Sequence, residues 1–259
     1  MSQVRALTTD QVVALSTAQV ASLTTQQIVA LSTRQVGTLE TRDIAALSTS
    51  QVAALTTDQF RALTTAQVSS LGTSQVASLE TQDLASLSTA QVAAITTAGI
   101  AALRTDEVVA LTSAQVSALS TAQIRAMTTS GLAAMETQDL KMLGSAQMLA
   151  LTTAQLNALQ TAQIASLTAA QLVSLTTAQL SLLATRSLNA LTVVQFPALT
   201  TAQVASLSTN QVAALEIQDL ASLGTAQVAA ITTAGISALR TDEVVALTTA
   251  QVAAITTAG

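Results

Sequence analysis

The sequence predicts an all-α solenoid of short helices, one for each eight-residue repeat. Three observations carry that prediction. Large aliphatic residues recur at every eighth position without slippage from Leu7 to Ile255. A Ser/Thr-x-x-Gln pair opens most repeats, as at Thr8 with Gln11, Thr64 with Gln67 and Thr152 with Gln155. Half of the residues are hydrophobic but only 1% are aromatic, which calls for a thin, regular core of Leu, Val, Ile and Ala. The stretch LTTAQVAS at Leu199–Ser206 typifies the unit, and 31 complete octads run from Leu7 to Ala254. The organisation is therefore one tandem array over residues 1–259. The phase already holds at Ser2 and breaks off inside an octad at Gly259, so the expectation is a fragment of a longer array.

With the consensus written LTTAQVAA, each column of the octad has its own chemistry. The first is large and aliphatic, as in Leu31, Leu103, Met135 and Ile231. The sixth is apolar, as in Val12, Ile28, Phe60 and Leu140, and the eighth is small apart from Met142 and Leu182. These three columns are expected to face the core. Charges sit in the second, fourth, fifth and seventh columns, among them Asp58, Arg34, Arg61 and Lys141. Burying them would carry a large desolvation cost, so these columns are expected to face water. The third is Thr in almost every octad, replaced by Ser113, Ser145, Ala169, Val193 and Ile217.

Each helix starts at a capping box. The second-column hydroxyl accepts from the Gln backbone, and the Gln side chain returns to the backbone of the cap. The expected length is roughly two turns, and the next Ser or Thr ends it by competing for backbone hydrogen bonds. One continuous helix is excluded, because eight residues at about 100° each carry the Leu column about 80° around the axis per octad. A β-strand needs apolar residues two apart, whereas these columns are separated by five and then three. A β-solenoid is the alternative architecture, although eight Gly are few for its corners. A single octad buries too little to fold alone, so neighbours must stack. The octads with Glu in the second column begin at 39, 79, 135 and 215, a spacing that reveals no fixed number per turn. At about 8–10 Å between helices, octads stacked singly would reach at most roughly 300 Å and two or three per layer roughly 100–150 Å, in either case a rod or superhelical ribbon without a pocket.

The second and fifth columns vary together. Glu40, Glu80, Glu136 and Glu216 precede Asp43, Asp83, Asp139 and Asp219; Arg104 and Arg240 precede Glu107 and Glu243; Thr96, Thr128, Thr232 and Thr256 precede Gly99, Gly131, Gly235 and Gly259. The acidic pairs suit a helix N-terminus, while two carboxylates fall short of the six to eight oxygens that calcium takes. The Arg–Glu pairs are expected to be surface ion pairs. Met127, Met135, Met142 and Met148 are expected in the core, and Pro197 marks one distorted octad. The octads from Leu79 and from Leu215 are near-copies, which points to duplication.

No Cys and no His are present, which removes disulfides, thiolate or imidazole catalysis and the usual transition-metal ligands. A net charge of −5 argues against nucleic acid or an anionic membrane as partner. Mean hydropathy is +0.54, yet Thr and Gln interrupt every apolar run before it reaches a membrane-spanning length. No signal peptide opens MSQVRALTTDQ.

LTTDQVVALS at Leu7–Ser16 resembles the LTPEQVVAIAS opening of repeats in transcription-activator-like effectors, where it is a short first helix. That likeness covers about ten residues per copy and supports a Thr-capped helix; the period of eight and the acidic charge exclude DNA reading. Over its length the chain resembles the LTTxQVAAL octapeptide tracts of very large exported, adhesin-like bacterial proteins. The resemblance implies an extracellular or cell-surface location and association into a filament or layer. The expected function is a non-enzymatic spacer, stalk or scaffold. The alternative is a ligand-binding surface for ice, a polymer or a cell along the Thr column. No catalytic, cofactor-binding or metal-ligating residue is nominated.

Overall fold

The computed structural model describes the backbone of residues 2–258 and the side chains of residues 4–255. The expected Thr256–Gly259 pair therefore lies outside the described residues. Regular structure among these residues is helical throughout, with 31 α-helices, one 3-10 helix and no strand. The all-α solenoid is the architecture observed, and the β-solenoid is not.

The capping chemistry operates as the repeat dictates. At Thr64 the backbone is extended (φ −74°, ψ 159°), its hydroxyl accepts from the Gln67 N–H, and the helix Thr65–Ser69 follows. Third-column residues thus occupy the first helical position. The helices are shorter than the predicted two turns: every α-helix but the last has four to six residues. The reason lies in the first column. Leu63 returns to extended backbone (φ −62°, ψ 139°), and its N–H closes the preceding helix on the Phe60 carbonyl at 3.1 Å. Only the last helix, Thr249–Ala258, runs for ten residues. The octad holding Pro197 replaces its α-helix with the 3-10 helix Phe196–Ala198, and the register continues through it.

Two compact units divide the chain, Met1–Met135 and Glu136–Gly259. Within each, an octad packs against the octad three places further along. In the N-terminal unit Thr33–Thr38 packs on Thr57–Ala62, and that helix on Thr81–Ser86. In the C-terminal unit Ser145–Ala150 packs on Ala169–Ser174, and that helix on the 3-10 turn at Phe196–Ala198. Three octads therefore make one solenoid turn, a number that the spacing of the Glu-bearing octads did not reveal.

The first and sixth columns form the core, as expected, with Leu47, Val52, Phe60, Leu140 and Phe196 all buried. Two expectations about facing are corrected. The fifth column points inward: Gln67, Gln115, Gln203 and even Asp43 and Glu107 are buried. The eighth column is mostly half-buried, and its two large members, Met142 and Leu182, are exposed. Met142 is therefore no core residue. A large side chain in that column turns outward because the first and sixth columns already fill the interior.

Candidate functional site

What the fifth column does is visible at Gln67. Its Oε1 accepts the Thr64 N–H at 2.7 Å, closing the capping box. Its Nε2 donates to the carbonyls of Val36 and Leu39, at 2.9 and 2.7 Å, one solenoid turn earlier. One side chain thus starts its own helix and satisfies the open end of Thr33–Thr38, the helix that leads into the one packed beneath it, Thr41–Ala46. Gln59, Gln91 and Gln115 repeat the pattern in the N-terminal unit. Gln171, Gln203, Gln211 and Gln227 repeat it in the C-terminal unit. This ladder explains how a polar column can be buried: its hydrogen-bonding capacity is met, so little desolvation cost remains.

Where Gln is absent, the ladder is rebuilt from other groups. In the Arg104–Glu107 pair, Glu107 Oε2 takes the cap N–H of Arg104 at 2.6 Å, as Gln Oε1 does elsewhere. The guanidinium supplies the missing donors. Nη1 forms an ion pair with Glu107 Oε1 at 3.0 Å and donates to the Ala77 carbonyl, and Nη2 reaches the Leu79 carbonyl at 3.5 Å. Arg240 and Glu243 do the same against the Ala213 carbonyl at 2.9 Å. The expected surface ion pair is thus half right: each arginine is half-exposed, but Glu107 and Glu243 are fully buried. Burial pushes the Glu107 carboxyl up, while the Arg104 N–H and the arginine charge pull it back.

The acidic pairs behave differently from the capping charges expected of them. Glu40, Glu80, Glu136 and Glu216 make no side-chain cap hydrogen bond. Their aspartates are buried. Asp is one methylene shorter than Gln, and Asp43 and Asp83 turn instead to a third-column hydroxyl one turn earlier: Thr17 donates to Asp43 at 2.8 Å and Thr57 to Asp83 at 2.7 Å. Burial raises the Asp83 carboxyl, the Thr57 hydroxyl lowers it, and Glu80 raises it further. For Asp219 the equivalent position is Val193, which has no hydroxyl to give. Burial, with the Glu216 charge behind it, pushes Asp219 up to about 6. Among the described residues no three Asp or Glu gather as a metal site.

The Gly99 octad has no room for Gln. A Cβ there would lie 2.8 Å from Ile95 Cγ2 and 3.2 Å from Val76 Cγ2, so the helix packs directly onto the turn below. In the octad Leu183–Ala190, Ser187 is too short to cap, and Asn157 Oδ1 accepts the Ala184 N–H at 2.7 Å in its place. Met127, Met135 and Met148 fill buried aliphatic sites as predicted. Most third-column Thr face outward, with Thr33, Thr89, Thr121 and Thr201 exposed, whereas Thr17 and Thr57 are half-buried where they turn to Asp43 and Asp83. Sequence reasoning missed the inward Gln and the turn of three octads. A signal for the latter was present, since Ala169, Val193 and Ile217 recur at every third octad.

Comparison with curated proteins returns no match. The profile of the ALTTAQ repeat matches six stretches, residues 4–41, 36–73, 76–113, 108–135, 132–169 and 212–249. The starts of these matches are separated by multiples of eight, the register read from the leucines, and together they cover most of the sequence. The chain is a member of the ALTTAQ repeat family.

Proposed function

We propose that the array is a structural spacer or scaffold segment of a larger exported protein and performs no catalysis of its own. The observation that carries this reading is the glutamine ladder. Its hydrogen bonds join each turn to the turn before it, so the buried polar groups are consumed in holding repeats together. Nearest-neighbour stacking of this kind lets stability accumulate with copy number, which suits a segment whose task is extent. The export context rests on the resemblance to octapeptide tracts and on the absence of Cys. Scattering from arrays shortened by three and by six octads tests the spacer reading. The maximum dimension should fall in proportion to the turns removed, and an unchanged dimension would reject it.

A second reading has its own support. The outward Thr column offers regularly spaced hydroxyls and methyls to ice or a repetitive polymer. Thermal hysteresis above that of a control protein would favour it, and none at millimolar protein would exclude the ice form.

A further inference from the structure

The three octads that have lost the third-column hydroxyl are not scattered. Ala169, Val193 and Ile217 stand three octads apart, which is one solenoid turn, so they occupy consecutive rungs of a single face of the C-terminal unit. The helical elements of these octads, Ala169–Ser174, Phe196–Ala198 and Ile217–Ser222, pack directly on one another, with Val193 in the turn that precedes Phe196. Ser145–Ala150 packs at one end of this stack and Thr241–Ala246 at the other. Seventh-column side chains stand beside the third column at a spacing of four, the neighbour distance on a helix. On this face they are apolar as well. Leu149, Val173, Val193, Val194, Ile217 and Val245 are each 38 to 80% exposed. The other octads of this unit keep a hydroxyl in the third column, Ser at Ser145 and Thr elsewhere.

Such a patch is too large to be the ordinary scatter of surface aliphatics. The six side chains leave roughly 500 Å² of apolar surface in water, the upper end of the largest patch on a typical monomer and a mark of interaction sites. The exposed Ala146, Ala170, Pro197 and Ala221 lie between them and extend the area. The total approaches the roughly 800 Å² that each partner contributes to a standard interface. The octads beginning at Leu143, Leu167 and Leu191 contain no charged residue, so these three of the five rungs offer nothing to a partner chosen by charge; the octads from Leu215 and Leu239 carry Glu216, Asp219, Arg240, Asp242 and Glu243. A chain of net charge −5 can meet its own copy across those three rungs without like charges in contact. A two-fold contact requires this self-complementarity.

We infer that this apolar face of the C-terminal unit is a side-to-side interface between two copies of the chain. The inference extends the scaffold reading to lateral assembly and stands or falls separately from it. It gives the loss of three hydroxyls on one face a physical purpose, since an unpaired Thr hydroxyl would be desolvated in such a contact.

Sedimentation of the full chain at concentrations up to about 100 µM tests it, a range suited to an interface of this size. The expected mass is twice the 26.2 kDa of one chain. Val173→Arg and Leu149→Arg place arginine in the seventh column, where Arg61 and Arg125 already sit in other octads, so both variants should keep the helical circular dichroism of the parent. Each should sediment as a monomer. Val109→Arg, in the same column of the N-terminal unit, should leave the dimer unchanged. Hydroxyl-radical footprinting of the unsubstituted chain gives a readout that needs no variant: Leu149, Val173 and Val194 should become protected as concentration rises. A monomer at every concentration overturns the inference, as does an assembly that persists in both variants or leaves these side chains fully reactive. Shortened arrays that fail the scattering test would reject the spacer reading and leave this interface standing.

Discussion

Replacing Gln67 by Glu isolates the inter-turn half of the ladder. The carboxylate retains an acceptor for the Thr64 N–H but loses the Nε2 donor to Val36 and Leu39. The Val36 carbonyl keeps the Leu39 N–H at 3.2 Å and so loses one of two partners, while the buried Leu39 carbonyl loses its ladder donor. An orphaned carbonyl costs about 1–3 kcal/mol and a lost second bond about 1 kcal/mol, so with the buried charge the change should cost about 3 kcal/mol. Repeat arrays depart from two-state unfolding, so the readout should be local. Hydrogen exchange of the Val68 amide, which donates to Thr64, should accelerate on the order of 100-fold at pH 7. Adding Thr64→Arg recreates the arrangement of Arg104 with Glu107, bringing a guanidinium to the Leu39 carbonyl, and should restore most of the protection. Burial raises the new carboxyl above its unfolded value, so the penalty is present above the folded pKa and shrinks as pH falls. Wild-type protection in Gln67→Glu at pH 7, or additive losses in the double variant, would refute the ladder as the tie between turns.

Other expectations follow from the same geometry. Asp219 is pushed to about 6 in the fold from an ordinary 3.8, so the folded state binds more protons between those values and stability falls as pH rises through that window. Val193→Thr supplies the hydroxyl that Thr57 gives Asp83; it should lower the Asp219 titration in an NMR experiment and flatten the melting temperature between pH 4 and 7. Gly99→Ala meets Ile95 and Val76 and should lose about 1–2 kcal/mol of local stability in spite of better helix propensity, read as faster hydrogen exchange of the Ile100 amide, which donates to Thr96. Gly72→Ser, whose nearest obstacle is the Gln75 Oε1 at 3.6 Å, should gain a few tenths by restoring the cap. Arg104→Thr strands the buried Glu107 and should cost about 3 kcal/mol, recovered when Glu107→Gln rebuilds the consensus pair.

Much of the fold was legible because it is written locally. The capping box at Thr64 and Gln67 lies within a single octad, and the Leu and Val columns declare their burial by composition alone. The facing of the fifth column was not legible, because Gln and Asp were judged by polarity, and polarity says nothing about carbonyl partners a full solenoid turn away. The same blindness made the Arg104–Glu107 pair look like surface chemistry. Met142 was misplaced for a different reason: its column is set by the space left beside the core, which only packing defines. The outward Thr was an open question in the sequence and is answered by its place as the first helical residue.

The turn of three octads has a consequence for how such an array changes length. Within either unit the consensus octads occupy equivalent positions on the screw, so gaining or losing one preserves the Gln ladder and the Leu and Val contacts, while pairs set three octads apart, such as Thr57 with Asp83, lose register. What changes is the phase of everything downstream, by a third of a turn. Copy number therefore sets an angle as well as a distance. Only changes by whole sets of three octads preserve which surface looks in which direction, and single-octad slippage would re-aim a surface while sparing the core.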